Sequence, residues 1–393
     1  MVALFLVVLI DLIGFGIIIP LLPFYGEHFH AEPDTVALLM ASYSFTQFLS
    51  APLWGGLSDR IGRRPVLLMS LAGATVSYIW LGMADSLWML FAARSLGGAM
   101  AGNIAAAFAY VADVTPPEGR AKGMGLIGAA FGLGFMSGPA IGGILAGPDP
   151  ASANFHLPAF AAAGLSIAAL LAAVFFLRES LAPEARTGAS AHAIRGYWDN
   201  VSEVLRNRAL NVAILLTFLA TFTFAGMEAT FAMWSERQLG WGPQQNGYLF
   251  AFIGALSALI QGTLIGPLTR RFGEGAMIVQ GAVALALGSL AIPLCTSLFP
   301  LLAAMTVLAY GFSVITPSLN SLISFRADQG SQGAVFGATR AASTFARAVG
   351  PAWAGFLFAG LGRHWPFVGG AVVMGFVTVI SLRLLRPKPR AGP

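Results

Sequence analysis

The sequence predicts an all-α membrane protein: twelve transmembrane helices in two pseudo-symmetric six-helix bundles. Three observations carry that prediction. Charged residues make up 10% of the 393 residues and apolar ones 57%, against about 25% charged in soluble domains. So few charges cannot cover a water-facing surface of this size, and the mean hydropathy of +0.76 agrees. Second, the chain divides into apolar runs of roughly 20 residues, the length that crosses about 30 Å of hydrocarbon. Third, two segments recur at nearly one offset. GGLSDRIGRR from Gly55 returns as GPLTRRFGEG from Gly266, 211 residues on, and SGPAIGG around Pro139 returns as VGPAWAG around Pro351, 212 residues on. Matches in corresponding helices indicate duplicated halves.

Spans are predicted near 2–24, 37–57, 65–84, 88–111, 122–146 and 155–178, then near 210–234, 244–267, 275–295, 299–325, 334–359 and 366–386. The first run is too long for a signal-peptide core and lacks a small-residue cleavage site, so it reads as a span. Of the 22 Lys and Arg, seventeen fall in one alternating set of connections; the opposite set holds only Arg237 and Arg363, and three lie inside spans. That asymmetry places both termini in the cytoplasm of a cell with this protein in its inner membrane. The longest polar stretch separates span six from span seven. It divides the chain into a bundle at 1–178, a linker at 179–209 with a candidate interfacial helix around Tyr197–Leu205, and a bundle at 210–393.

Composition also excludes function classes. The net charge of +5 sits in short loops as a topology signal, so no nucleic-acid partner is expected. The single cysteine, Cys295, rules out an intramolecular disulfide or a Cys cluster and reads as core filler. No Gly-x4-Gly-Lys-Ser/Thr phosphate loop is present, which argues against ATP as the direct energy source. His28 and His30 share a loop but lack further ligands, so no metal is expected. The expected partners are a small-molecule substrate, protons and membrane lipids, with no cofactor beyond a proton gradient. Each chain carries its own pair of halves and is expected to be a monomer.

The segment GGLSDRIGRRPVLL, Gly55 to Leu68, resembles the signature loop of the major facilitator superfamily between its second and third helices. Arg94 with Gly98 and Gly102 resembles that superfamily's helix-four motif. GFMSGPAIGG, carrying Gly134, Gly138, Pro139, Gly142 and Gly143, resembles the helix-five motif of its drug/proton antiporters. Asp11 followed by Pro20 and Pro23 resembles the same group's helix-one motif. The resemblance spans essentially the whole chain and is nearest to the tetracycline-efflux branch, as in SLWMLFAARSLGGAMAG. It implies proton-coupled efflux of small amphipathic or lipophilic compounds by alternating access. Where that branch carries an acid, a histidine and an aspartate, this chain has Ser77, Ser257 and Ala284. Those departures bear on tetracycline as the substrate and leave antiport untouched.

The residues themselves suggest roles. Asp59, with Gly55, Arg60, Gly62, Arg63 and Arg64, lies where span two meets the cytoplasm. From there its carboxylate can answer the positive N-terminus of span eleven, which makes the loop a conformational latch. The bland alternative is an orientation signal. Asp11 lies about 15 Å deep in span one, where a lone charge costs at least ~2.5 kcal/mol. Arg94, entering from the other face, is its expected partner, and Asp11, Arg94 and Glu228 are the proton-coupling candidates. A static ion pair between helices is the competing reading for Asp11, and snorkelling to the outer interface for Glu228. Arg340 is placed to snorkel or to reach Asp59, whereas Arg347, deeper on the same face, has no evident partner. Candidates for the substrate cavity are Tyr43, Gln47, Asn103, Gln261, Asn320 and Arg347. A symporter or facilitator of a metabolite or lipid remains the alternative function, and a membrane sensor or enzyme a remote one.

Overall fold

In a computed structural model of the chain, residues 1–116, 119–182, 201, 202, 204, 206–327 and 332–382 are described, with the backbone alone at 120–122, 208 and 209. The first half contains α1 (Val2–Ile18), which runs through a 3₁₀ turn at Ile19–Leu21 into α2 (Leu22–His28). Then come α3 (Pro33–Ile61), α4 (Arg63–Gly82), α5 (Leu87–Ala99), α6 (Asn103–Val114), α7 (Arg120–Ala146) and α8 (His156–Phe176). The second half contains α9 (Arg208–Leu239), α10 (Pro243–Leu259), a π-helical turn at Ile260–Leu264 and α11 (Ile265–Ala291). It ends with α12 (Leu298–Arg326), α13 (Gln332–Leu361) and α14 (Trp365–Ser381).

Among the described residues, nine stretches are long and apolar enough to cross a membrane. One of them, Pro243–Leu294, is 52 residues long and breaks at Gly273, whose φ of +77° is outside the helical region. The predicted boundary between spans eight and nine is therefore a single left-handed residue inside an otherwise continuous helix. Two further helices, α13 and α14, fall outside the nine; α14 is apolar but short, and α13 carries Arg340 and Arg347. The lateral surface is apolar, with Phe175, Phe176, Leu294, Phe299 and Val372 each at least 70% exposed. A continuous apolar exterior of this kind belongs in lipid. The candidate interfacial helix at Tyr197–Leu205 lies largely outside the described residues.

Each half packs its own core. In the first, one cluster centres on Leu67, Ala107 and Ala169 and a second on Leu39, Leu81 and Ala159; the large cluster of the second half includes Phe231, Trp234, Met305 and Cys295. Met227 and Met233 are buried in that last cluster as well.

Two helix pairs join the halves, α7 with α10 and α3 with α13. Call the end carrying Gly62 and Gly273 the near face. At the opposite, far face the pairs are tight. A Cβ built on Gly143 falls 2.8 Å from the Pro243 carbonyl oxygen, and one on Gly355 overlaps the Ala37 methyl. Val36 of α3 joins the core of the second half and Ala232 of α9 joins that of the first. Moving toward the near face the pairs diverge. Gly132 still approaches Ala258, at 3.7 Å from its built Cβ, but Gly55, Gly128, Gly262 and Gly337 have nothing within 4 Å. The halves form a V, sealed at the far face and open at the near one.

Candidate substrate cavity and inter-half contacts

The cleft of the V narrows to a cavity of about 210 Å³. Of the sequence candidates, Asp11, Tyr43, Gln47, Asn103, Arg340 and Arg347 all line it, alongside Ser77. Gln261 and Asn320 do not line it; both are exposed. Gln261 sits in the π-helical turn, where the extra residue rotates side chains off the regular helical face on which its placement was reckoned.

Asp11 is 6% exposed. Its carboxylate accepts a hydrogen bond from the Asn103 amide, not from Arg94 as expected. The reason is local: the helix breaks between α5 and α6, so Asn103 opens a new helix. The Gly102 N–H donates to Ser70 Oγ at 3.1 Å, and the Trp54 indole N–H to the Ala99 carbonyl at 2.6 Å. Residues 88–111 read in the sequence as one continuous span, and the glycines at 98 and 102 are the signal of the break. Arg94 is 4% exposed and packs its guanidinium 4.5 Å from the Tyr43 ring centroid and 6.0 Å from that of Phe15. These are cation–π contacts, and among the described residues Arg94 Nε has no hydrogen-bond partner.

Arg347, expected to be unpartnered, meets Glu228 of α9, with Nη1 3.3 Å from Oε2. That is longer than the 2.7–2.9 Å of a tight charged pair. Glu228 is 9% exposed and stands behind Arg347, so it communicates with the cavity through that arginine. Arg340 does not reach toward Asp59. It lines the cavity, and among the described residues no carboxylate lies within ion-pair distance of it.

The loop at the near face is tied to its own half. Asp59 is bonded to Arg63 at 2.5 Å, and Arg63 also reaches Asp113 at 3.1 Å and Ser58 at 3.0 Å. Glu179 accepts from the backbone N–H groups of Arg63, at 2.9 Å, and Arg64, at 3.2 Å, capping α4. The Arg64 guanidinium donates to the Val174 carbonyl at 2.8 Å. Gly62, with φ of +108°, makes the turn into α4. Asp113 and Glu179 were missed from sequence because each lies just past the end of a span and reads as an ordinary loop acid. Among the described residues Asp59 is paired within its own half and has no partner on α13, in keeping with a V open at this face.

On α7 the glycine stripe serves two neighbours. Gly134, Gly138 and Gly142 take the backbone of α1 at Leu12, Gly16 and Ile17, within the half. Gly143, one position round, takes α10 across the seam. Pro139 lies inside α7 as Pro351 lies inside α13.

The profile of the Major Facilitator Superfamily matches residues 4–351 and again 262–393. The chain belongs to that superfamily. It is 34% identical over 366 residues to the class C tetracycline resistance protein of Escherichia coli, covering 91% of this chain and 89% of that one. It is 28% identical over 378 residues to multidrug resistance protein 2 of Bacillus subtilis, covering 96% and 92%. Among solved structures it superposes on the human organic anion transporter MFSD10 with a TM-score of 0.74 at 28% identity, covering 97% and 98%. A major facilitator transporter places its substrate path between the halves, and the cavity of this chain is lined by residues of both.

Proposed function

We propose that this major facilitator protein is a proton-coupled exporter of small amphipathic compounds that works by alternating access through twelve crossing helices. The near face is the cytoplasmic one, and the V is the inward-open state. The observation that carries the reading is the pair of buried acids at the cleft. Asp11 is answered by a neutral amide, and Glu228 by one long ion pair. A carboxylate buried without a cation is costly, and a proton on Asp11 removes that cost. A group that changes charge at the cavity wall links proton movement to the rearrangement of the halves.

The count of twelve is supported by dividing the long stretch at Gly273 and adding α13 and α14 to the other eight stretches. The residue ranges 1–178 and 210–393 are the two rocking bodies. Relatives named for tetracycline and multidrug resistance favour efflux. The test uses the purified chain in sealed vesicles, following proton flux against efflux of a lipophilic dye. Wild type releases protons to the opposite side as dye moves, and Asp11→Asn or Glu228→Gln uncouples the two. A pH gradient without effect on every solute the chain moves removes the antiport reading.

A further inference from the structure

The charged side chains in and against the cavity do not balance. Arg94, Arg340 and Arg347 stand against Asp11 and Glu228. Glu228 is committed to Arg347 and Asp11 to Asn103. Arg340 has neither a carboxylate nor any side-chain hydrogen bond among the described residues, although its guanidinium faces the cavity. Arg340 is exposed to the open cleft, where water solvates it, and it loses that water without gaining a partner if the halves close over it; its planar donor fork suits a carboxylate or a comparable oxyanion. Arg347, with its loose 3.3 Å pair, keeps donors for the same ligand. Beside these heads the wall is aromatic: Phe15, Tyr43, Phe131 and Phe135 line the cavity, with Phe15 and Tyr43 5.2 Å apart between ring centroids.

We propose that the cavity takes amphipathic organic anions, the anionic head held by Arg340 and Arg347 and the apolar body laid against the aromatic wall. The proposal rests on reading this cavity as the substrate site. One bound anion brings the five charged side chains to neutrality with both acids ionised, so the loaded protein rearranges without carrying net charge through the seal. The volume of about 210 Å³ is below the roughly 300–1,000 Å³ of sites for drug-sized ligands. The cavity therefore holds the head and first ring while any longer tail lies along the open cleft. An anionic lipid headgroup offers the same chemistry as a soluble anion.

The test measures binding to the full chain in phosphatidylcholine nanodiscs near neutral pH, with no gradient and no transport. Three probes share one ring system: 2-naphthoate, neutral 2-naphthamide and cationic 2-naphthylmethylammonium. 2-Naphthoate is expected to bind at least about tenfold more tightly than the amide, the yield of one hydrogen bond to a charged group, and the cation more weakly still. Arg340→Gln removes the preference for naphthoate over the amide, while Arg340→Lys keeps most of it. Nanodiscs containing phosphatidylglycerol identify the source: lipid occupying the site weakens naphthoate binding in wild type and not in Arg340→Gln. Amide or cation binding as tight as naphthoate overturns the proposal, and so does a naphthoate affinity unchanged by Arg340→Gln. The probe series needs no variant, so a poorly folding Arg340→Gln does not blunt it. Anion binding without proton exchange in vesicles would defeat the exporter reading and spare this one.

Discussion

Asp11 and Glu228 are both buried acids, and their positions inside apolar runs made them legible as proton-coupling candidates from sequence, although only Asp11 lines the cavity and Glu228 stands behind Arg347. Their partners were not legible. Depth along a helix follows from counting residues, but which side chains meet depends on helix rotation and on breaks, and the break before Asn103 rotated the partner of Asp11. The Glu228–Arg347 pair gives a test at this scale. Arg347 is 35% exposed to the cleft, whereas Glu228 is 9% exposed. Arg347→Gln therefore strands a buried carboxylate, at a cost of about 1–3 kcal/mol, while Glu228→Gln leaves a cation that water reaches and costs less. The order of Tm is expected to be wild type, then Glu228→Gln and the double variant close together, then Arg347→Gln lowest. Strictly additive losses would mean the two do not interact. A second residue-scale test concerns the far-face loop. His364 accepts a hydrogen bond at Nδ1 from the Trp234 indole at 3.3 Å, and partial burial, then the neighbouring Arg363 charge, push its pKa down from the ordinary 6.5. The unfolded chain therefore binds a proton here before the folded one does. The contribution to stability is full above the unfolded pKa and declines as pH falls through it toward the folded value. Thermal unfolding of His364→Gln is expected to lose less Tm than wild type between about pH 7 and about pH 5, the range in which histidine titrates.

At the scale of elements, the repeat seen in the sequence reappears as paired geometry. Gly62 and Gly273, 211 positions apart, both turn the chain with positive φ, +108° and +77°. Between them the chemistry differs, since Asp59 has Arg270 as its counterpart. The acid proposed as a latch belongs to one half only. Gly143 and Gly355, 212 positions apart, each make the far-face contact with the opposite half, on α10 and α3 respectively. The sequence marked the glycine spacing but not which neighbour each glycine faces, because one step along a helix turns the side chain by about 100°. Side chains at these two positions are predicted to wedge the seam. Gly143→Leu and Gly355→Leu should each cost about 1–3 kcal/mol through overpacking, read as a fall in Tm. Gly164→Leu, whose position on α8 has nothing within 4 Å, should leave Tm within error. Equal behaviour of all three would show that the far-face contact does not depend on the missing side chains.

For the molecule as a whole, the question is what holds the V closed at the far face. Across that face Arg237 of α9 pairs with Glu27 of α2 at 2.7 Å and lies 5.3 Å from the centroid of the Phe358 ring. Arg363 donates to the Arg237 carbonyl at 2.7 Å, and Glu236 faces Glu27 in the same cluster. From sequence, Arg237 and Arg363 were only the two exceptions to the charge asymmetry. Their place in the structure was hidden because an inter-half contact joins residues about 200 positions apart. At 38% exposure Arg237 is partly solvated, so the ion pair contributes up to about 1 kcal/mol, which changes a population ratio by roughly fivefold and does not invert a strong preference. Removing Arg237 also leaves Glu27 and Glu236 facing each other without their cation. Spin labels at Gly55→Cys and Gly337→Cys, with Cys295→Ser to remove the native thiol, report the width of the near face. Arg237→Gln is expected to move part of the distance distribution from long to short as the far seal loosens and the near face closes. Asp59→Asn should act in the opposite direction, because the proposed latch to the α13 N-terminus favours the closed near face and loses its charge. If Arg237→Gln leaves the distribution unmoved while Gly355→Leu shifts it, the seal is made by backbone packing alone, and the Glu27–Arg237 pair is a bystander on the surface.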